Sequence, residues 1–201
     1  FLAMLIGVFV QKHVIDSVEI DRTKEAMRST LLQAEAVRRN ASELVSAEAF
    51  DYPALLRESE GADDIRETAL YNSIPVVASW KSIEGVADRF GYEFEIAKRD
   101  ARNPENEPTE GEREILEYLS RTQADEYFFD DAGADQLVYA RPIRLTSDCL
   151  VCHGDPDTSF SGDGLDMLGY AMEGWEEGEM HGAFILKADK KALRAMGTAA
   201  F

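Results

Sequence analysis

Apolar and polar positions divide the chain into a helical first quarter and a mixed remainder. Residues 1–10, FLAMLIGVFV, carry no charge, and Gln11, Lys12 and His13 follow. From Lys12 to Phe50 there is neither glycine nor proline, and Val14, Val18, Met27, Leu31, Ala34, Ala41 and Val45 recur at steps close to three, four and seven or their multiples. That spacing predicts one long amphipathic helix over 12–50, with Arg22, Lys24, Glu25, Arg38 and Arg39 on its polar side. The uncharged start is continuous with it. Ten helical residues rise about 15 Å, half of a hydrocarbon core of about 30 Å. Residues 1–11 are therefore expected to be the outer part of a transmembrane anchor, ahead of a buried helix start or a signal-peptide remnant.

Tyr52-Pro53 ends the helix, because proline lacks an amide hydrogen and clashes with the preceding turn. Asn72-Ser73-Ile74-Pro75 introduces a second helical segment, Val76 to Phe90, closed by Gly91. Tyr92 to Ile96 alternates as a half-buried strand, 102–108 is a proline-containing loop, and Glu110 to Ser120 gathers Ile115, Leu116 and Leu119 on a short helix. Tyr127–Phe129 and Gln136–Leu145 flank an Asp- and Gly-rich turn, a hairpin signal. A Gly- and Asp-rich loop covers 154–169, Met180 to Leu186 is a last strand, and 191–201 is a helical segment. The fold class predicted is α+β, an antiparallel sheet with helices on one side. Apolar, helical character at both ends raises the expectation of a second membrane helix after Phe201.

Charge narrows the function. With 39 acidic against 21 basic residues, a net charge of -18, the chain is no nucleic-acid binder and does not lie flat on anionic lipid. Its two cysteines are too few for a disulfide scaffold, so their spacing is what carries chemistry.

Asp148-Cys149-Leu150-Val151-Cys152-His153-Gly154 contains C-x-x-C-H, the attachment pattern of a c-type haem. Two thiols one helical turn apart add to the haem vinyl groups, and the adjacent imidazole reaches the iron. A redox dithiol or half of a zinc site are the competing uses. The neighbouring pattern is antiparallel rather than βαβ, and only two further histidines exist, far apart. One motif predicts one covalent haem c, with Cys149 and Cys152 as attachment points and His153 as proximal ligand.

For the sixth position, alternation places His181 on one face with Ala183 and Ile185, and Met180 on the other with Phe184. The small Ala183 beside it favours His181 as metal ligand, with Met180 or an open position as alternatives. Met167 and Met172 are outside candidates, and His13 is an interfacial residue. Arg102 and Arg141, with Arg144, are candidate cations for the haem propionates, against ordinary surface pairing. Trp80, Tyr139, Trp175 and Phe184 are candidate walls. Glu173, Glu176, Glu177 and Glu179 read as a solvated acidic face.

Several segments occur together in order: Asn72–Trp80, Tyr92–Ile96, Arg102–Pro108, Tyr139–Ile143, Cys149–Gly154 and Gly174–Phe184. The set resembles the PAS-like single c-haem sensor domains of methyl-accepting chemotaxis proteins and sensor histidine kinases, which also have stand-alone members. The resemblance covers roughly 20–190. It implies a PAS-like haem domain over 51–190 on the periplasmic side of the cytoplasmic membrane, held by the 1–11 anchor. The function it implies is redox or diatomic-gas sensing. The alternative is an electron-transfer or accessory haem subunit of a membrane complex. Expected partners are the membrane, a second copy through the N-terminal helix or a larger complex, and a gas ligand. No Ser-His-Asp set or phosphate loop is visible, so no enzyme activity is expected.

Overall fold

The computed structural model describes residues 2–199. Helix α1, Leu2–Ser46, is a single unbroken element of 45 residues. It ends four residues short of Phe50, and Glu48 turns the chain in the left-handed region. Asp51 then caps α2, Tyr52–Ser59, by accepting from the Ala54 amide, so Pro53 sits at a helix start, where its missing amide hydrogen costs nothing. Helix α3, Ala69–Asn72, and helix α4, Pro75–Arg89, lead to strand β1, Tyr92–Ala97. Helix α5, Glu110–Thr122, opens with a reciprocal capping box between Thr109 and Glu112. Strands β2, Tyr127–Asp131, and β3, Gln136–Arg144, form the hairpin, followed by the one-turn α6, Leu150–His153. Strand β4, Met180–Asp189, and helix α7, Lys190–Ala199, close the chain.

The four strands form one antiparallel sheet in the order β1-β4-β3-β2. Alternation gives it two apolar faces. Leu137, Tyr139, Phe184 and Leu186 pack on Met27, Leu31 and Ala34 of α1 and Ile83 and Ala87 of α4. Val138, Ala140, Ala183 and Ile185 pack on Ile115, Leu116 and Leu119 of α5. Helices therefore cover both faces. This corrects the one-sided arrangement, which fails because β3 and β4 are apolar at consecutive positions over most of their length.

Two expectations about α1 are revised. Its apolar stripe is buried from Met27 onward, whereas Val10, Val14, Ile15 and Val18 are exposed. No helix of the described residues is long and apolar enough to cross a membrane. The transmembrane anchor at 1–11, and the localisation that rested on it, are corrected accordingly. The apolar run ends after ten residues, and Lys12, Asp16, Glu19 and Asp21 enter the window that a span of about 20 apolar residues requires.

On the α5 face, Lys187 pairs with Glu95 and, at 2.8 Å, with Glu112. Burial, with the neighbouring Glu112, raises Glu95 from an ordinary 4.5 to about 7. A folded-state value above the unfolded one means that the stabilisation is complete below 4.5 and is lost as pH rises through about 7. Wild-type urea midpoints are therefore expected to fall across that interval, and Glu95→Gln to flatten the slope.

Candidate functional site

The C-x-x-C-H turn is built where β3 runs out. Ser147–Cys149 forms a short 3-10 turn that passes into α6, so Cys149, Cys152 and His153 lie on one continuous turn of helix. Thr146 contacts Cys149 Sγ through its amide at 3.4 Å and its hydroxyl at 3.3 Å. Gly154 ends the turn by donating to the Leu150 carbonyl at 2.9 Å, and a Cβ there would meet that oxygen at 2.5 Å. The strand leading into β4 straps the turn from outside. Gly174 and Trp175 donate to the carbonyls of Gly154 and His153, at 3.0 and 2.8 Å. Both thiols are free. Burial pushes Cys152 up to about 11, the reverse of the lowered value that a reactive redox dithiol requires.

His153 Nδ1 lies 2.8 Å from Glu173 Oε2. Burial works to raise Glu173, but the hydrogen bond with His153 and the charges of His153, Arg102 and Lys98 outweigh it and hold the carboxyl below its usual range. As carboxylate it can only accept, so Nδ1 carries the proton and Nε2 keeps its lone pair for a metal. Burial lowers His153, which keeps the ring neutral. Glu173 thus belongs to the site, not to a solvated acidic face. Its sequence offered no local cue, since the two residues stand 20 apart.

His181 does reach the motif, by a route that alternation missed. In the β3–β4 ladder Gly182 pairs with Ile143 but Arg144 pairs with Met180, leaving His181 as a bulge. The extra residue inverts the phase. Met180 packs with Ala183 and Ile185 on the α5 side, while His181 turns toward the cysteine motif. Gly182 permits this close passage, because a Cβ there would stand 2.5 Å from the Ala97 carbonyl. The His181 and His153 ring centroids are 4.4 Å apart, and Trp175 meets His181 edge-on at 5.4 Å. Burial, reinforced by the charges of Lys98 and His153, lowers His181 to about 3. Its Nδ1 is buried with no hydrogen-bond partner. Two imidazoles bound to one metal from opposite sides, at about 2 Å each, keep centroids roughly 6 Å apart. A metal between these two rings therefore requires them to part.

Beside the motif lies an apolar cleft of about 390 Å³, walled by Val45, Ile74, Val76, Ile143, Leu145 and Leu168 and bordered by Cys149, Cys152, His153 and His181. Met167 also lines it, whereas Met172 is buried outside it. The three arginines proposed for propionates behave differently, and Arg144 turns away from the cleft to Gln123 Oε1 at 3.1 Å. Arg102 lines the cleft, but its guanidinium is taken up by Asp166 at 2.6 Å, Glu173 at 2.9 and 3.1 Å, and the carbonyls of Cys152 and Ala171. Arg141 pairs with Glu35 of α1 at 2.5 Å and is not brought to the cleft. Of the four aromatics, Trp175 touches His181, while Tyr139, Phe184 and Trp80 belong to the core under α1 and α4. His13 is an exposed residue of α1.

With this geometry in place, comparison defines the class. A family model described as Tll0287-like matches residues 17–188, and the chain belongs to that family. Among solved structures it is similar to the crystal structure of the cyanobacterial haem protein Tll0287, with a TM-score of 0.56 and 16% identity, over 84% of this chain and 96% of that one. At that identity the likeness is one of fold. No protein of curated function matches the sequence.

Asp166 is buried with its carboxylate on Arg102. Arg102→Leu should cost about 3 kcal/mol in urea denaturation, because it strands a buried charge. Arg102→Lys should recover part of that, as one ammonium cannot fork to both carboxylates.

Proposed function

We propose that this chain is a haem c protein of PAS-like architecture, without enzyme activity, that senses redox state or a diatomic gas. Haem would be held through Cys149 and Cys152, with His153 as axial ligand, and would supply a redox-active iron. The observation that carries the reading is the His153–Glu173 hydrogen bond beside two free thiols on one turn, at the edge of an apolar cleft. Glu173 fixes the tautomer and raises the basicity of the ring. His181, neutral and unpartnered, is the candidate sixth ligand, and its contact with His153 makes the separation of the two rings the natural switch. The output would pass to α1, since Ser42 donates to Asp148 at 2.7 Å, next to Cys149, and Arg38 to the Arg144 carbonyl at 2.9 Å.

Electron transfer is the second reading, favoured by Val151, 58% exposed between the two cysteines, which leaves the attachment edge open to a partner. Optical spectra of oxidised, dithionite-reduced and carbon-monoxide-treated protein decide between them. Reduced bands that survive acid-acetone extraction, and vanish in a Cys149→Ser, Cys152→Ser variant, are expected; their absence in the wild type overturns the haem. Carbon monoxide binding favours gas sensing, and an unchanged low-spin spectrum favours redox sensing or electron transfer. Glu173→Gln is expected to raise the midpoint potential, because a less basic imidazole stabilises the oxidised iron less.

A further inference from the structure

His181 borders a second cleft, larger than the first at about 780 Å³ and within the range of small-molecule sites. It is enclosed by α5, the outgoing end of β1, the end of β3 and the segment 177–182 that enters β4. Leu116, Met180 and Trp175 supply apolar wall, and both signs of charge line the rest.

Arg99, Arg121 and Arg144 line this cleft, and so do Asp100, Glu117 and Glu177. Among the described residues, none of the six forms an ion pair. Arg144 spends its donors on neutral oxygens, Gln123 Oε1 at 3.1 Å and the Ala124 carbonyl at 3.5 Å. Glu117 and Arg121 stand one turn apart on α5, in the order that ordinarily pairs, and do not close on each other. A fourth carboxylate on the lining, Glu179, is already engaged by the Glu176 amide. Elsewhere Arg28, Arg66, Arg102, Arg141 and Arg194 pair with carboxylates, while Arg22, Arg38, Arg39, Arg57, Arg89 and Arg113 form no ion pair among the described residues. Here opposite charges face one space and stay apart. A simple anion entering it meets three carboxylates, and a simple cation meets three guanidinia. A ligand with both signs satisfies both sets.

We propose that this cleft binds a small zwitterion, an amino acid or short peptide. Its carboxylate lies on Arg99, Arg121 and Arg144, and its ammonium on Asp100, Glu117 and Glu177. His181 is a wall common to both clefts, so an occupant here abuts the ring that borders the cysteine motif.

The test is isothermal titration of the full chain with L-alanine, L-leucine and glycyl-leucine, with acetate and methylammonium as single-charge controls. Saturable binding of at least one zwitterion, unmatched by the controls, is expected. Arg121→Ala with Arg144→Ala should weaken it on the order of tenfold or more, since each removes a charge-assisted hydrogen bond. If that double variant loses its far-ultraviolet circular dichroism, Arg121→Gln at an exposed helix position tests the same contact. No saturable binding by any zwitterion, equal binding of acetate, or undiminished affinity in the folded variant overturns the proposal. The titration reads no haem signal, so its failure leaves the haem assignment untouched.

Discussion

One guanidinium holds the functional end of the molecule together. Arg102, just beyond β1, makes five hydrogen bonds to Asp166, Glu173, the Cys152 carbonyl and the Ala171 carbonyl. Between α6 and β4 the chain runs from Gly154 to Glu179 with little regular structure besides a short 3-10 turn and one isolated bridge, Leu165–Ala171. A segment of that length folds in one way only when its polar groups find fixed partners. Asp166 supplies the centre: its Oδ1 accepts from the amides of Leu168 and Tyr170, and Oδ2 from Arg102. An unpaired carboxylate at full burial would cost several kcal/mol, so the loop and Arg102 must order together. Once they do, Glu173 is pinned by the same guanidinium and faces His153. His153 is thus oriented by an ion-pair network whose members come from three distant parts of the chain.

The hydrophobic core gives that network a rigid base. Met27 and Leu31 of α1 are fully buried, each contributing about 1.5–3 kcal/mol by burial alone. Ser79 of α4 ties its hydroxyl to the Ala34 carbonyl at 2.9 Å, in the dry seam between the two helices. The same helix then reaches the site with Arg38 and Ser42, four residues apart on one face. At its other end the exposed Val10, Val14, Ile15 and Val18 lie outside this core. The cysteine turn is thus tied to a helix whose middle is fixed in the core.

What the sequence made legible was local. The β2–β3 hairpin, the short helix α5, the Pro75 helix start and the cysteine turn each follow from neighbours within a few residues. What it hid was long-range pairing. Arg141 and Glu35 are 106 residues apart, and nothing near either foretells that one will neutralise the other. Glu173 sits among other glutamates and is distinguished only by where the loop returns. The face of His181 was misread for a different reason. A two-residue repeat fixes side-chain direction only while the ladder is unbroken, and a single unpaired residue reverses every assignment beyond it. An apolar decapeptide reads as a helix start as readily as half of a span, and among the described residues no helix is long and apolar enough to cross a membrane.

The bulge also explains why His181 is an imidazole at all. An unpartnered buried ring nitrogen costs about 1–3 kcal/mol relative to a satisfied one, and a leucine would fill the same space without that cost. The backbone makes a second concession beside it, since Gly182 must forgo a side chain to pass the Ala97 carbonyl. Two such choices stand at adjacent positions, where burial and a close backbone passage fix the ring beside the cysteine turn. Held neutral by burial, it can offer that lone pair without first losing a proton. It stands between the cysteine turn and the charged cleft and borders both.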